Sequence, residues 1–157
     1  LSLRLVRSWV RCGGLSRTTK RRNMRKLKDY KPSTSMAFTP LSIAAQFGHL
    51  QEVLALIKAG HDINISNHNG STPLHLSTQN GHDGVVKALI AANVEINKTD
   101  DIGWTPLLLA IEHGHETTAM ILIEAGADIN KSSHSGWTPM LLARKNGRDT
   151  ILTHLRI

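Results

Sequence analysis

The chain has one cysteine, Cys12. No internal disulfide can form, and no Cys-x-x-Cys spacing exists for zinc or redox chemistry, so a disulfide-stapled secreted scaffold is excluded. Aromatic residues make up only 4%. That argues against a large aromatic-lined pocket and leaves packing to Leu, Ile, Val and Ala. No apolar run reaches the roughly 18 residues that a transmembrane helix needs. Gly-x-Ser-x-Gly, Gly-rich Gly-Lys-Ser/Thr and His-Glu-x-x-His motifs are also missing. The chain therefore reads as non-enzymatic, with no cofactor and no metal.

Acid is missing from the beginning of the chain. Residues 1–35 hold eleven Lys or Arg and one acid, Asp29, a balance of +10. Residues 36–157 hold eight Lys or Arg against eleven acids, a balance of −3. The net charge of +7 thus belongs to the first 35 residues. It says nothing in favour of nucleic acid on the remainder.

What the chain does have is a repeat. Thr39-Pro40-Leu41 returns as Thr72-Pro73-Leu74, Thr105-Pro106-Leu107 and Thr138-Pro139-Met140, each step 33 residues. Gly48-His49 returns as Gly81-His82, Gly114-His115 and Gly147-Arg148. Asp62-Ile63-Asn64 returns as Glu95-Ile96-Asn97 and Asp128-Ile129-Asn130. Each Thr suits an N-cap, and the Pro after it suits the first helical position, where its missing N–H costs nothing. A first helix is predicted up to each Gly, as from Pro73 to Asn80, and the Gly suits the left-handed stop. A second helix follows, as from Asp83 to Ala92, with Val85, Val86, Leu89 and Ile90 as its apolar stripe. Gly60, Asn93 and Gly126 stop these second helices. Polar, Gly-containing stretches such as Val94 to Trp104 read as extended turns or hairpins. Small residues at one register, Ala44, Ser77, Ala110 and Ala143, predict close helix approach.

These features resemble the ankyrin repeat family over about 36–157. The Thr-Pro-Leu steps, the Gly-His turns and Gly-Ala-Asp-Ile-Asn at 126–130 carry the resemblance. It implies an all-α solenoid of about four helix-turn-helix repeats with short hairpin tips, after a disordered basic arm at 1–35. The expected units are 36–67, 68–100, 101–133 and 134–157. The resemblance also implies a protein-binding scaffold and leaves the partner unnamed. Some positions depart from the pattern. Only unit two carries the family's His after Thr-Pro-Leu, at His75, with Ser42, Leu108 and Leu141 elsewhere. Ser77-Thr78 replaces the preferred alanine pair. Ala37 stands where the other units have Gly ahead of Thr-Pro, and the fourth unit stops within its second helix.

Other groups have plainer readings. There are nine histidines. His49, His82 and His115 follow from the repeat, and His61 and His68 fall in a polar turn. Asp100-Asp101 reads as turn residues that point apart. The sequons at Asn64, Asn69, Asn97 and Asn130 read as products of the repeat, with Asn64, Asn97 and Asn130 bonding locally to the turn backbone. In the arm, Arg4, Arg7 and Arg11 share one helical face opposite Leu1, Leu5, Val6, Trp9 and Val10, as in a mitochondrial presequence. Lys20-Arg21-Arg22 and the basic run 25–28 look like a nuclear or nucleic-acid patch, or simply a solvated arm.

The expected function is protein binding by a monomer, through the hairpin tips and the concave ends of the first helices. The tip candidates are His68, Asn69, Ser71, Asp101, Ile102, Trp104, His134, Ser135 and Trp137. On the first helices they are Gln79, Asn80, Glu112, His113, Lys145 and Asn146. Trp104 and Trp137 share a register and form a candidate ridge, with an unidentified protein or peptide as the partner. Two alternatives are nucleic-acid or membrane-surface binding through the arm, and service as a regulatory piece of a larger protein. The chain begins at Leu1, with Met24 and Met36 downstream. The expected setting is intracellular and cytoplasmic, with a nuclear or mitochondrial address as the arm's alternatives.

Overall fold

A computed structural model describes residues 38–156. The basic arm with its candidate targeting segments, Cys12 and Ala37 lie outside the described residues. Among those described there are eight helices and no strand. They form four pairs. The first is α1 (Pro40–Gln46) with α2 (Leu50–Lys58), and the second is α3 (Pro73–Gln79) with α4 (Asp83–Ala91). The third is α5 (Pro106–His113) with α6 (Glu116–Glu124), and the fourth is α7 (Pro139–Lys145) with α8 (Asp149–Leu155). First helices stand side by side in chain order, and so do second helices. The result is an all-α solenoid.

The local rules explain each first helix. Thr39, Thr72, Thr105 and Thr138 are extended N-caps, and each hydroxyl accepts a backbone N–H of the first turn at 3.1–3.4 Å. Pro follows each cap at the start of the helix. Helix α3 stops at Gln79 and α4 at Ala91, one residue short of the predicted ends. Gly81 then turns back at φ +69°, and Asn93 takes the same left-handed region at φ 61°. The second helices have no side-chain cap. Each instead puts an acid in its first turn, Glu52, Asp83, Glu116 or Asp149, against the positive helix end.

The core runs the length of the stack. Leu41, Leu74 and Leu107 are buried between units, as are Val53, Val85, Val86, Leu89 and Leu122. Ala44, Ser77, Ala110 and Ala143 are all fully buried, at the predicted close-approach register. Two rows of side chains then lock each unit to the one before. His82 Nε2 donates to the Gln46 carbonyl at 2.9 Å, and its ring lies against Gly48. His115 repeats this on the Gln79 carbonyl at 3.0 Å, with its ring against Gly81. At the tips, Asp101 lies over Gly70 and His134 over Gly103.

One expectation is corrected. Asn64 and Asn97 do not use their side chains on their own turn. Asn64 Oδ1 accepts the Glu95 N–H at 2.9 Å, and Asn97 Oδ1 accepts the Asp128 N–H at 2.7 Å. The local turn bonds come from Asp62 and Asp128, whose carboxylates accept the Asn64 and Asn130 amides. At Asn64 the acid two residues ahead satisfies the turn, which leaves the amide side chain to reach the next unit. Lys98 and Lys131 donate to the Asn64 and Asn97 carbonyls in the same joints.

His75 is a further joint. It is 1% exposed. Nδ1 accepts the Thr72 N–H at 3.2 Å, which fixes the neutral tautomer, and Nε2–H donates to the Trp104 carbonyl at 3.1 Å. Burial pushes its pKa below the ordinary imidazole value of 6.5, and the Trp104 bond and the Asp100 carboxylate offset this only in part.

These joints predict two outcomes. Gly81→Ala and Gly147→Ala both place a side chain at left-handed φ, worth about 1–2 kcal/mol each. A Cβ at Gly81 would also stand 2.5 Å from His115 Nδ1, whereas Gly147 has nothing within 4 Å. Urea unfolding should therefore find Gly81→Ala clearly the more destabilised of the two. The second outcome concerns acid. The unfolded chain binds a proton at His75 near pH 6.5, and the folded chain resists it until lower pH. That contribution is fully present above about pH 6.5 and is lost as pH falls toward the folded pKa. His75→Leu, the residue used at 108, should flatten the loss of stability between pH 7.5 and 5 relative to wild type.

Candidate partner-binding surface

The fifteen candidate residues fall into two rows. His68, Asn69, Asp101, Ile102, His134 and Ser135 are exposed at the tips. Gln79, Asn80, Glu112, His113 and Lys145 are exposed at the ends of the first helices. Ser71, Trp104, Trp137 and Asn146 are half-buried.

Each tip is closed by its own backbone. Asn67 N–H donates to the Ser71 carbonyl, Asp100 to Trp104, and Ser133 to Trp137, at 2.9–3.0 Å. A short polar side chain completes each turn. Asn67 Oδ1 accepts the amides of Asn69 and Ser71, and Asp100 Oδ1 accepts those of Ile102 and Trp104. Ser133 Oγ accepts the Trp137 amide. The tips also bond to one another. Asp101 N–H donates to the Asn69 carbonyl at 3.0 Å, and His134 N–H to the Ile102 carbonyl at 3.2 Å. The tip row is thus held in line by inter-unit backbone bonds, with Asn69, Ile102 and Ser135 exposed along it. Sequence reasoning missed Asn67 and Ser133 as tip organisers. Their signal was a turn-forming residue recurring at the register of Asp100.

The helix-end row is coupled more loosely. Asn146 Nδ2 donates to Glu112 Oε2 at 3.0 Å and ties unit four to unit three. The His113 and His115 rings stack with centroids 6.3 Å apart. Asn80 and His113 bond back to their own helices, at the Leu76 and Leu109 carbonyls.

The two tryptophans are not free rings. Both pack against the core, and the Trp104 carbonyl receives the His75 bond. Lys145 Nζ stands 4.8 Å over the Trp137 ring, a cation–π contact that brings a tip and a helix end together. Ile102, by contrast, is 61% exposed, the most exposed of the large apolar side chains among the described residues. Replacing both tryptophans by Ser, the residue that unit two carries at 71, should lower the melting temperature by several degrees, because both rings cover core residues.

The arrangement offers no group of three or more His, Cys, Asp or Glu able to hold a metal among the described residues. No helix among them is long and apolar enough to cross a membrane. What remains is a firm frame carrying varied side chains at repeating positions. A family model for ankyrin repeats, in three copies, matches residues 20–100 and 85–156. A search of the curated proteins finds no match. Ankyrin repeats are generally protein–protein interaction modules. By that match and by the stack of capped helix pairs, the chain belongs to the ankyrin repeat family.

Proposed function

We propose that this chain is a non-enzymatic scaffold that binds a protein or peptide through its tip row and first-helix ends. The observation that carries the reading is Ile102. It is 61% exposed at the middle of a tip row whose backbone is already held by inter-unit bonds. An apolar side chain on a preorganised frame needs little ordering on binding. Asp101, His134 and Ser135 give it a polar surround, and the Trp104 and Trp137 edges extend the apolar strip. This is the composition of an interface centre with its rim. Glu112, His113, Gln79, Asn80, Lys145 and Asn146 form the second contact row, with His68, Asn69 and Ser71 at the far tip.

The test compares proximity labelling by the full chain with that by Ile102→Asp. The variant should keep its melting temperature, because the side chain is exposed, and should lose its principal partner by about tenfold or more. Partners that survive Ile102→Asp but vanish when residues 1–35 are removed would overturn this reading in favour of the basic arm.

A further inference from the structure

The two candidate rows hold three Asn-Gly pairs. Asn69-Gly70 stands at a tip, and Asn80-Gly81 and Asn146-Gly147 stand at first-helix ends. Such a pair is chemically labile, because glycine has no side chain to keep its amide away from the preceding carboxamide. The Gly nitrogen gives up its proton and attacks the Asn Cγ. A C–N bond forms, the Cγ–Nδ2 bond breaks, and ammonia leaves with the proton. Water then opens the cyclic imide. Opening at the side-chain carbonyl leaves Asp. Opening at the main-chain carbonyl leaves isoaspartate, with the backbone rerouted through the side chain.

The fold treats the three pairs differently. Each Gly N–H donates to a carbonyl three residues back, that of Asn67, Thr78 or Arg144, at 3.0–3.3 Å. That bond does not separate them, but the carboxamides do. Asn80 is the C-cap of α3, and its Nδ2 donates to the Leu76 carbonyl at 2.8 Å. Asn146 is the half-buried C-cap of α7, and its Nδ2 donates to Glu112 Oε2 at 3.0 Å. Ring closure at either must break the side-chain bond and loosen a helix end. The Asn69 side chain is exposed and makes no hydrogen bond among the described residues. Asn67 supplies the acceptors for the Asn69, Gly70 and Ser71 amides, so opening at this one residue frees the reacting groups.

The reaction would alter a joint. The Asn69 carbonyl accepts the Asp101 N–H at 3.0 Å, and a Cβ on Gly70 would stand 2.6 Å from Asp101 Oδ1. Asp at 69 keeps this carbonyl in the backbone and adds a charge one residue from the Asp101 carboxylate. Isoaspartate lengthens the backbone at 69 by one carbon and displaces the accepting carbonyl.

We propose that Asn69 is a site of spontaneous deamidation, and that its isoaspartate product opens the bond between tips two and three. Ile102, next to Asp101, then loses part of its preorganised frame. The chemistry at 69 stands whatever the row binds, and only its consequence for a partner rests on the partner-binding reading.

The test ages the full chain in warm, mildly alkaline buffer, natively and in urea. Tandem mass spectrometry of tryptic peptides separates Asn69 from Asn80, and an isoaspartate-specific methyltransferase scores the rearranged product. In urea the three pairs should convert at similar rates. In the native chain Asn69 should convert about tenfold or more faster than Asn80 or Asn146. The fraction with isoaspartate at 69 should exchange its Asp101 N–H about tenfold or more faster, while the Glu95 and Asp128 amides stay slow. Asn69→Ser, the residue that unit four carries at 135, should keep the Asp101 amide slow throughout ageing.

Native conversion at Asn80 or Asn146 as fast as at Asn69 would overturn the assignment, as would an unconverted Asn69 once the urea sample has reacted. An Asp101 amide that stays slow in the isoaspartate fraction would overturn the opening of the joint. A partner lost on ageing by wild type and kept by aged Asn69→Ser supports the consequence for binding, and a partner that the isoaspartate fraction keeps overturns it. Partners indifferent to Ile102→Asp would count against the partner-binding reading and leave the chemistry at 69 intact.

Discussion

No helix pair in this chain can bury its apolar stripe alone, so everything depends on one unit lying flat against the next. The contact is possible because small residues stand where the first helices meet, and glycine stands where the next unit's His or Asp must lie. Ala44, Ser77, Ala110 and Ala143 are fully buried for this reason. Polar joints then fix the register. His82 and His115 reach carbonyls 36 residues back, and Asn64 and Asn97 receive amides 31 residues on. A slip by one residue would strand all of them at once.

Much of this was legible in the residues because it is local. A Thr before a Pro can hardly be anything but a helix start, and a Gly every 33 residues marks where a helix stops. Caps, stops and the small-residue register therefore follow from neighbours in the chain. The inter-unit joints do not. Asn64 bonding its own turn and Asn64 bonding Glu95 use the same residue in the same place, and only the packing of two units decides between them. Lys98 and Lys131 gave no signal, since a lysine in a loop reads as solvated.

The candidate site was legible to a similar depth. Positions that vary between units were identifiable by subtraction, and most of them are exposed. Aromatic size drew the emphasis to the two tryptophans. Trp104 and Trp137 are drawn half into the core, while Ile102 beside them stands out. Unit two is the polar exception. His75, Ser77 and Thr78 are buried there, with His75 fully partnered and the Thr78 hydroxyl unpaired. Burial lowers the His75 pKa, so this joint is expected to weaken as the pH falls.

The units cohere through specific joints and not through apolar contact alone, and amide hydrogen exchange tests this most directly. The N–H groups of Glu95, Asp101, Asp128 and His134 sit outside every helix, yet each donates to an acceptor in the preceding unit. They should exchange as slowly as the buried amides of α3 and α5, because freeing them requires the stack to open. Exchange of these four at the rate of solvated loop amides, while the helices stay protected, would contradict such joints.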